Sequence, residues 1–217
     1  MALPENRIYL ASRSRRRREL LKQIGINFEI LLMRETLPRP VDVDETPKKG
    51  ESPTDYVCRI ARAKAEAGWM RVIQRGLPLK PLLVADTIVA LKNRIFGKPE
   101  NLAHAEEMLI ALSGQTHQVL TSVAVAAQDN IQACLSSTAV RLRDISQSEI
   151  RSYFTSGESS GESYNKAGAY AIQGKAAVFI MDISGSYSCV LGLPLFETAQ
   201  LLGKFNIKIF SQSDNNL

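Results

Sequence analysis

Residues that bind soft metals or form disulfides are scarce in this chain. Its 217 residues include three cysteines, Cys58, Cys134 and Cys189, and two histidines, His104 and His117. No cysteines form a C-x-x-C pair and their number is odd, so neither a disulfide framework nor a cysteine-based zinc site is expected. Two histidines exclude a multi-histidine metal site within one chain. There is no run of 18 apolar residues, and the N-terminal MALPENRIYL lacks the apolar stretch of a signal peptide. The expected location is therefore the cytoplasm, with no membrane contact. A phosphate-loop motif, a dinucleotide glycine fingerprint and a Ser-His-Asp arrangement are all missing.

What is present is enough apolar material for one sizeable core. Hydrophobic residues make up 45% and charged residues 23%, which excludes general disorder. A single domain over residues 1–210 is expected, with 211–217 (SQSDNNL) as a frayed tail. Lysine and arginine number 27 against 22 acids, a net charge of +5. Five of those basic residues are Arg13 and Arg15 to Arg18, and without them 22 basic residues face 22 acidic ones. The excess is local. With aromatics at 6%, a spread basic face with stacking platforms is not expected, and neither is a nucleic-acid partner.

Helical and strand patterns alternate along the chain. RIYLA (7–11) reads as a strand and 15–24 as a helix stopped by Gly25. NFEILL (27–32) is a second strand, and 33–51 is a polar loop with three prolines. Ser52-Pro53 opens a helix predicted to end near Gly68. LLVA (82–85) is an apolar strand that breaks at Asp86, and the chain continues as TIVAL to a turn at Lys92-Asn93. Asn101 caps a helix to Leu112, and 117–127 and 131–142 form a hairpin across Asp129-Asn130. Ser146 and Glu149 make a capping box for a helix to Thr155. Val178 to Ile183 is a strand, Pro194 opens a helix to Leu202, and Phe205 to Phe210 is a closing strand. The alternation predicts an α/β fold with a mixed sheet. Ser156-Gly157-Glu158-Ser159 is repeated as Ser160-Gly161-Glu162-Ser163, a tandem insertion of the kind loops tolerate.

Several groups can carry chemistry. Cations at a helix N-terminus cost roughly 0.3–1 kcal/mol each. The arginine cluster opening the first helix therefore asks for a compensating anion, which helix N-termini and arginines both bind. Leu20, Leu21 and Ile24 mark the buried side; Arg16 and Arg17 align with it, and Arg15 and Arg18 fall outside. Asp86 after a buried strand is either an Asx turn or a ligand group at a strand's carboxyl end. Lys64 shares a helix face with Val57 and Ile60, as a snorkelling lysine or as an ammonium aimed at phosphate. Lys98 sits in the rigid Gly97-Lys98-Pro99. The run Asp42-Val43-Asp44-Glu45 is a solvated turn or a source of hard oxygen ligands for Mg²⁺ or Mn²⁺. In the small-residue run 166–174, Gln173 can donate to and accept from a base edge. Together these point to metal-assisted attack of water on a nucleoside polyphosphate.

LASRSRRRRELL, VDVDET, ESPTDYVCRIARAKA, ADTIVALKNRIFGKPEN, MLIALSGQTHQVLT, KAGAYAIQG and GSYSCVLGLPL occur in this order. In that order they resemble the Maf family of nucleoside triphosphate pyrophosphatases, once described as septum formation inhibitors. The family's first motif is S-P-R-R; Ser14, Arg16 and Arg17 match it, and Arg15 stands in place of the proline. The SGES repeat leaves two candidates, Glu158 and Glu162, for one family position. The resemblance implies a two-lobed mixed α/β fold with a central cleft, often dimeric. It also implies hydrolysis of dTTP or UTP to the monophosphate and pyrophosphate with Mg²⁺ or Mn²⁺. It puts the general base at Asp86, acidic metal-site residues at Glu45 and Asp86, and substrate binding at Ser14, Arg16, Arg17, Lys64, Thr87, Lys98 and Gln173. Two other readings compete: an inosine-triphosphate-type purine pyrophosphatase, and a non-enzymatic nucleic-acid-binding or division-regulating protein.

Overall fold

The computed structural model describes residues 7–34, 41–155 and 166–210. The SGES repeat and the 211–217 tail lie outside them. The elements are β1 (Arg7–Leu10), α1 (Arg15–Gln23), β2 (Asn27–Ile30), α2 (Pro53–Gln74), β3 (Leu82–Leu91), β4 (Arg94–Phe96) and α3 (Leu102–Leu112). There follow β5 (Thr116–Ala127), β6 (Asn130–Leu142), α4 (Gln147–Thr155), β7 (Ile180–Ser184), α5 (Tyr187–Val190) and α6 (Leu195–Gly203). Seven strands form one mixed sheet in the order β2-β1-β3-β5-β6-β7, with β4 paired to β3. β1 runs parallel to β2 and β3, whereas β3, β5, β6 and β7 are antiparallel in turn. The mixed α/β sheet expected from the sequence is what the chain forms.

Helix starts follow local side-chain chemistry. Ser52 accepts from the Asp55 amide at 3.1 Å, Asn101 from the His104 amide at 2.9 Å, and Ser14 from the Arg17 amide at 3.4 Å. Ser146 and Glu149 make the reciprocal capping box, with Ser146 N to Glu149 Oε2 at 2.9 Å and Glu149 N to Ser146 Oγ at 3.3 Å.

Four expectations are corrected. β3 does not stop at Asp86; it runs on to Leu91, because antiparallel pairing with β5 continues unbroken from Leu82–Ala126 to Ala90–Gln118. α2 passes Gly68 and ends at Gln74; Gly68 lies against Leu82, where a Cβ would come within 2.5 Å of a methyl carbon, so this glycine serves close packing. Residues 175–179 form a 3₁₀ turn, so the following strand is Ile180–Ser184. Phe205 to Phe210 is no strand: the Phe205, Asn206 and Ile207 amides bond back to Leu202, Gly203 and Leu202 at the end of α6.

The register of β3 creates the feature that matters most. One edge of β3 pairs with β1 through Leu83 and with β4 from Val89 onward. Between those two registers no described strand covers that edge. β1 ends here, and the turn into α1 passes the gap, with the Ala11 amide donating to Leu83 O at 3.0 Å.

Candidate active site

Asp86 and Thr87 occupy the gap. Strand alternation sends even-numbered β3 side chains toward α2 and odd-numbered ones toward the other face. On the α2 face, Leu82 and Val84 belong to one apolar cluster with Ala61, Ala65 and Trp69. Ile88 and Ala90 belong to another with Tyr56, Val57 and Ile60. Asp86 lies between the two, and Lys64 on α2 lies at the same level. Lys64 Nζ bonds Asp86 Oδ1 at 2.6 Å and Glu45 Oε1 at 2.8 Å. An unpaired buried carboxylate would be costly; here one ammonium serves two carboxylates. Burial pulls the Lys64 pKa down, but the charges of Asp86 and Glu45 and their hydrogen bonds outweigh it and leave it above the ordinary lysine value. The lysine is thus an interior charge and not a snorkelling one, and Asp86 makes no strand-ending turn.

On the opposite face, Arg17 is held by three oxygens. Its Nε donates to Gly192 O at 2.7 Å, Nη2 to Thr87 Oγ1 at 3.0 Å and Nη1 to Ser12 Oγ at 3.4 Å. Thr87 Oγ1 lies 3.0 Å from Thr121 Oγ1, which donates to Cys189 O at 2.9 Å. Thr121 is fully buried, so the inner end of this chain of hydroxyls is shielded from water. Gly192, at φ +100, brings its carbonyl to Arg17 in a conformation that favours glycine. Ser14 caps α1, and Arg16 in its first turn is half-buried. Arg15 is a surface residue paired with Glu19 at 2.8 Å, as expected. Arg18, expected on the surface, is half-buried, with its Nε shielded from solvent.

Lys98 and Gln173 are both exposed, and neither side chain bonds to the Lys64–Asp86 or Arg17–Thr87 groups. Their two loops do touch: the Gly168 amide donates to Gly97 O at 3.1 Å. Gly168, at φ +72, lies so close to Val89 that a Cβ would meet its side chain at 3.0 Å. The small-residue run thus packs on β3 beyond the gap. Its Tyr170 is anchored to β5, with Oη 2.7 Å from His117 Nε2.

Three site-building residues escaped the sequence reading. Thr121 looked like one polar position in a β-rich run; its register opposite Thr87 identifies it. Tyr56 and Arg59 looked like ordinary helix residues. Tyr56 donates to Glu45 O at 2.8 Å, and Arg59 to Thr46 O at 3.1 Å. The usable signal was Tyr56's spacing of four and eight residues from Ile60 and Lys64, which puts all three on one face. Burial, then the Asp86 and Glu45 charges, push the Tyr56 hydroxyl up to about 12.

The donor set suits a hard divalent cation. Glu45 and Asp86 converge on a single ammonium, and Mg²⁺ takes one or two carboxylates together with water and substrate phosphates. Among the described residues no group of three or more His, Cys, Asp or Glu is gathered for a metal. The carboxylate pair therefore fits a cation shared with a phosphate ligand. No helix among the described residues is long and apolar enough to cross a membrane.

A dTTP/UTP pyrophosphatase of Nitrosomonas europaea is 63% identical over 205 residues, covering 94% of this chain and 97% of that protein. A protein of the same name from Nitrosospira multiformis is 60% identical over 210 residues, covering 97% of this chain and 100% of that one. Among solved structures, the Staphylococcus aureus Ham1 protein has a TM-score of 0.44 and 17% identity, covering 64% of this chain and 72% of that one. The family described as Maf-like protein matches residues 7–205, and the chain belongs to that family.

Proposed function

We propose that this protein hydrolyses dTTP and UTP to the nucleoside monophosphate and pyrophosphate, by attack of water at the α-phosphorus. The relatives' names support the pyrimidine substrate. The observation that carries the chemistry is the buried Lys64–Asp86 pair, 2.6 Å long, at the sheet gap beside the basic start of α1. Asp86 is the general base: Lys64 takes its Oδ1 and leaves Oδ2 to orient water and accept its proton. Arg16, Arg17 and the α1 N-terminus, capped by Ser14, hold the phosphates. Arg17 comes to that task already fixed by Thr87 and Gly192, so little side-chain entropy is lost on binding.

Lys64 and Lys98 stabilise charge that develops on the phosphate oxygens. Gln173, on the exposed turn, reads the base edge, and Thr87 sets how close the nucleotide approaches β3. Glu45 and Asp86 would hold a divalent metal, Mg²⁺ or Mn²⁺, which would neutralise phosphate charge and polarise the phosphoryl oxygen.

A panel of nucleotides assayed for pyrophosphate and orthophosphate tests the reading. Pyrophosphate from dTTP and UTP is expected, with purine triphosphates poorer. Asp86→Asn should lower kcat by about 10²-fold or more, the scale of positioned acid–base help. Near-normal turnover by purified Asp86→Asn protein, or orthophosphate as sole product, refutes it.

A further inference from the structure

The acidic segment 41–51 joins no strand of the sheet; its place is set by bonds to its surroundings. At one end Asp42 is clamped by Arg71 of α2, through Nε at 3.1 Å and a second bond from Nη2, and accepts the Arg34 amide at 3.0 Å. At the other end Glu51 is held by Arg59, at 2.5 Å from Nε and 2.7 Å from Nη2. Between the clamps lies Glu45. Its carboxylate is half-exposed and has one cationic partner, Lys64. A half-exposed side chain on a loop with one partner is not fixed by packing, so its position depends on its main chain.

Two α2 residues hold that main chain. Tyr56 Oη donates to the carbonyl of Glu45, and Arg59 Nη2 to the carbonyl of Thr46. Fixing two successive carbonyls fixes the peptide planes on both sides of Thr46, and with them the path that carries Glu45. The donors are themselves fixed. The Tyr56 ring is buried among Val57, Ile60 and Ile88, and the Arg59 guanidinium lies 5.4 Å from its centre while paired to Glu51. One helix face thus presents Tyr56 to the backbone of Glu45 and, two turns later, Lys64 to its carboxylate.

We infer that Tyr56 and Arg59 are positioning residues for the reaction, acting through main-chain carbonyls to hold the Glu45 carboxylate beside Lys64 and Asp86. The inference rests on the proposed role of Glu45. Neither residue touches the reacting atoms; both reduce the disorder that would otherwise have to be frozen out in the transition state.

The test is a double-mutant cycle on dTTP hydrolysis. Tyr56→Phe keeps the ring and deletes one donor. It is expected to lower kcat about five- to tenfold, the equivalent of one lost hydrogen bond, with KM changed less than about twofold. In a Glu45→Ala background the same substitution should change kcat by less than about twofold, because nothing remains to be positioned. Hydrogen exchange gives a readout independent of turnover: amides over 43–48 should exchange faster in Tyr56→Phe, while those of β5 stay as in the parent. Arg59→Met, which removes the donor to Thr46 together with the Glu51 clamp, should behave likewise and serves if Tyr56→Phe is poorly folded. Multiplicative losses in the cycle, or unchanged kcat in Tyr56→Phe beside a crippled Glu45→Ala, overturn the inference alone. Full activity in Glu45→Ala overturns the proposed role of Glu45, and the inference with it.

Discussion

His117 is buried on β5 with Nε2 at Tyr170 Oη and with no partner for Nδ1 among the described residues. Burial holds its pKa down at about 4, whereas a histidine in the unfolded chain titrates near 6.5. Between those values the unfolded chain binds more protons, so stability falls as pH drops through that window and is level above it. The full effect is about 3 kcal/mol. Chemical denaturation at pH 7.5 and 4.5 should show most of that loss in the parent and much less in His117→Asn. At the gap, Thr87 joins Arg17 to Thr121. Thr87→Val keeps the β-branched shape and removes one hydrogen bond from each of Arg17 and Thr121, at a cost of about 1–3 kcal/mol. Denaturant midpoints should fall accordingly, and KM for dTTP should rise as Arg17 loses its brace.

α2 joins the core and the site in one element. Its inner face alternates apolar turns with Tyr56 and Lys64, so the helix seals the sheet above and below Asp86 and supplies the charge between. Gly68 lets it approach Leu82. Gly68→Val is therefore expected to destabilise by about 1–3 kcal/mol through overpacking, measured as a lowered thermal midpoint. α2 also shows what the sequence made legible. Its start was readable because Ser52 and Pro53 act on their own neighbours, as Asn101 and the Ser146–Glu149 box do for α3 and α4. Its end was not, because Gly68 answers to Leu82, 14 residues away. The Phe205–Phe210 run failed likewise: Phe205, Ile207 and Ile209 pack on the core while the amides of 205–207 close the end of α6. Lys64 and Asp86 could be singled out as charges in apolar surroundings, whereas Glu45 stood in a polar acidic run and was marked by the family resemblance. That one ammonium serves both carboxylates depends on the β1–β3 and β3–β4 registers, which no local pattern contains.

For the whole molecule, the sheet and the charge point to the same place. β3 is paired along one edge without a break and uncovered at mid-strand on the other, and the start of α1 faces that opening. The net charge of +5 is accounted for by the arginines of that start. The molecule is otherwise balanced, so its long-range field is a local attraction toward the gap and not a basic face for a polymer. Such a field acts on encounter and is screened over about 8 Å at physiological ionic strength. Arg13 and Arg15 test this, since both are exposed and Arg15 pairs with Glu19 on the surface of α1. Replacing both with glutamine removes two positive charges without touching Arg16 or Arg17. The double variant should lower kcat/KM for dTTP about threefold at low salt with kcat unchanged, an effect of steering. Near 1 M salt, where the screening length is about 3 Å, parent and variant should converge. A loss that persists at high salt would instead place Arg13 or Arg15 in direct contact with the nucleotide.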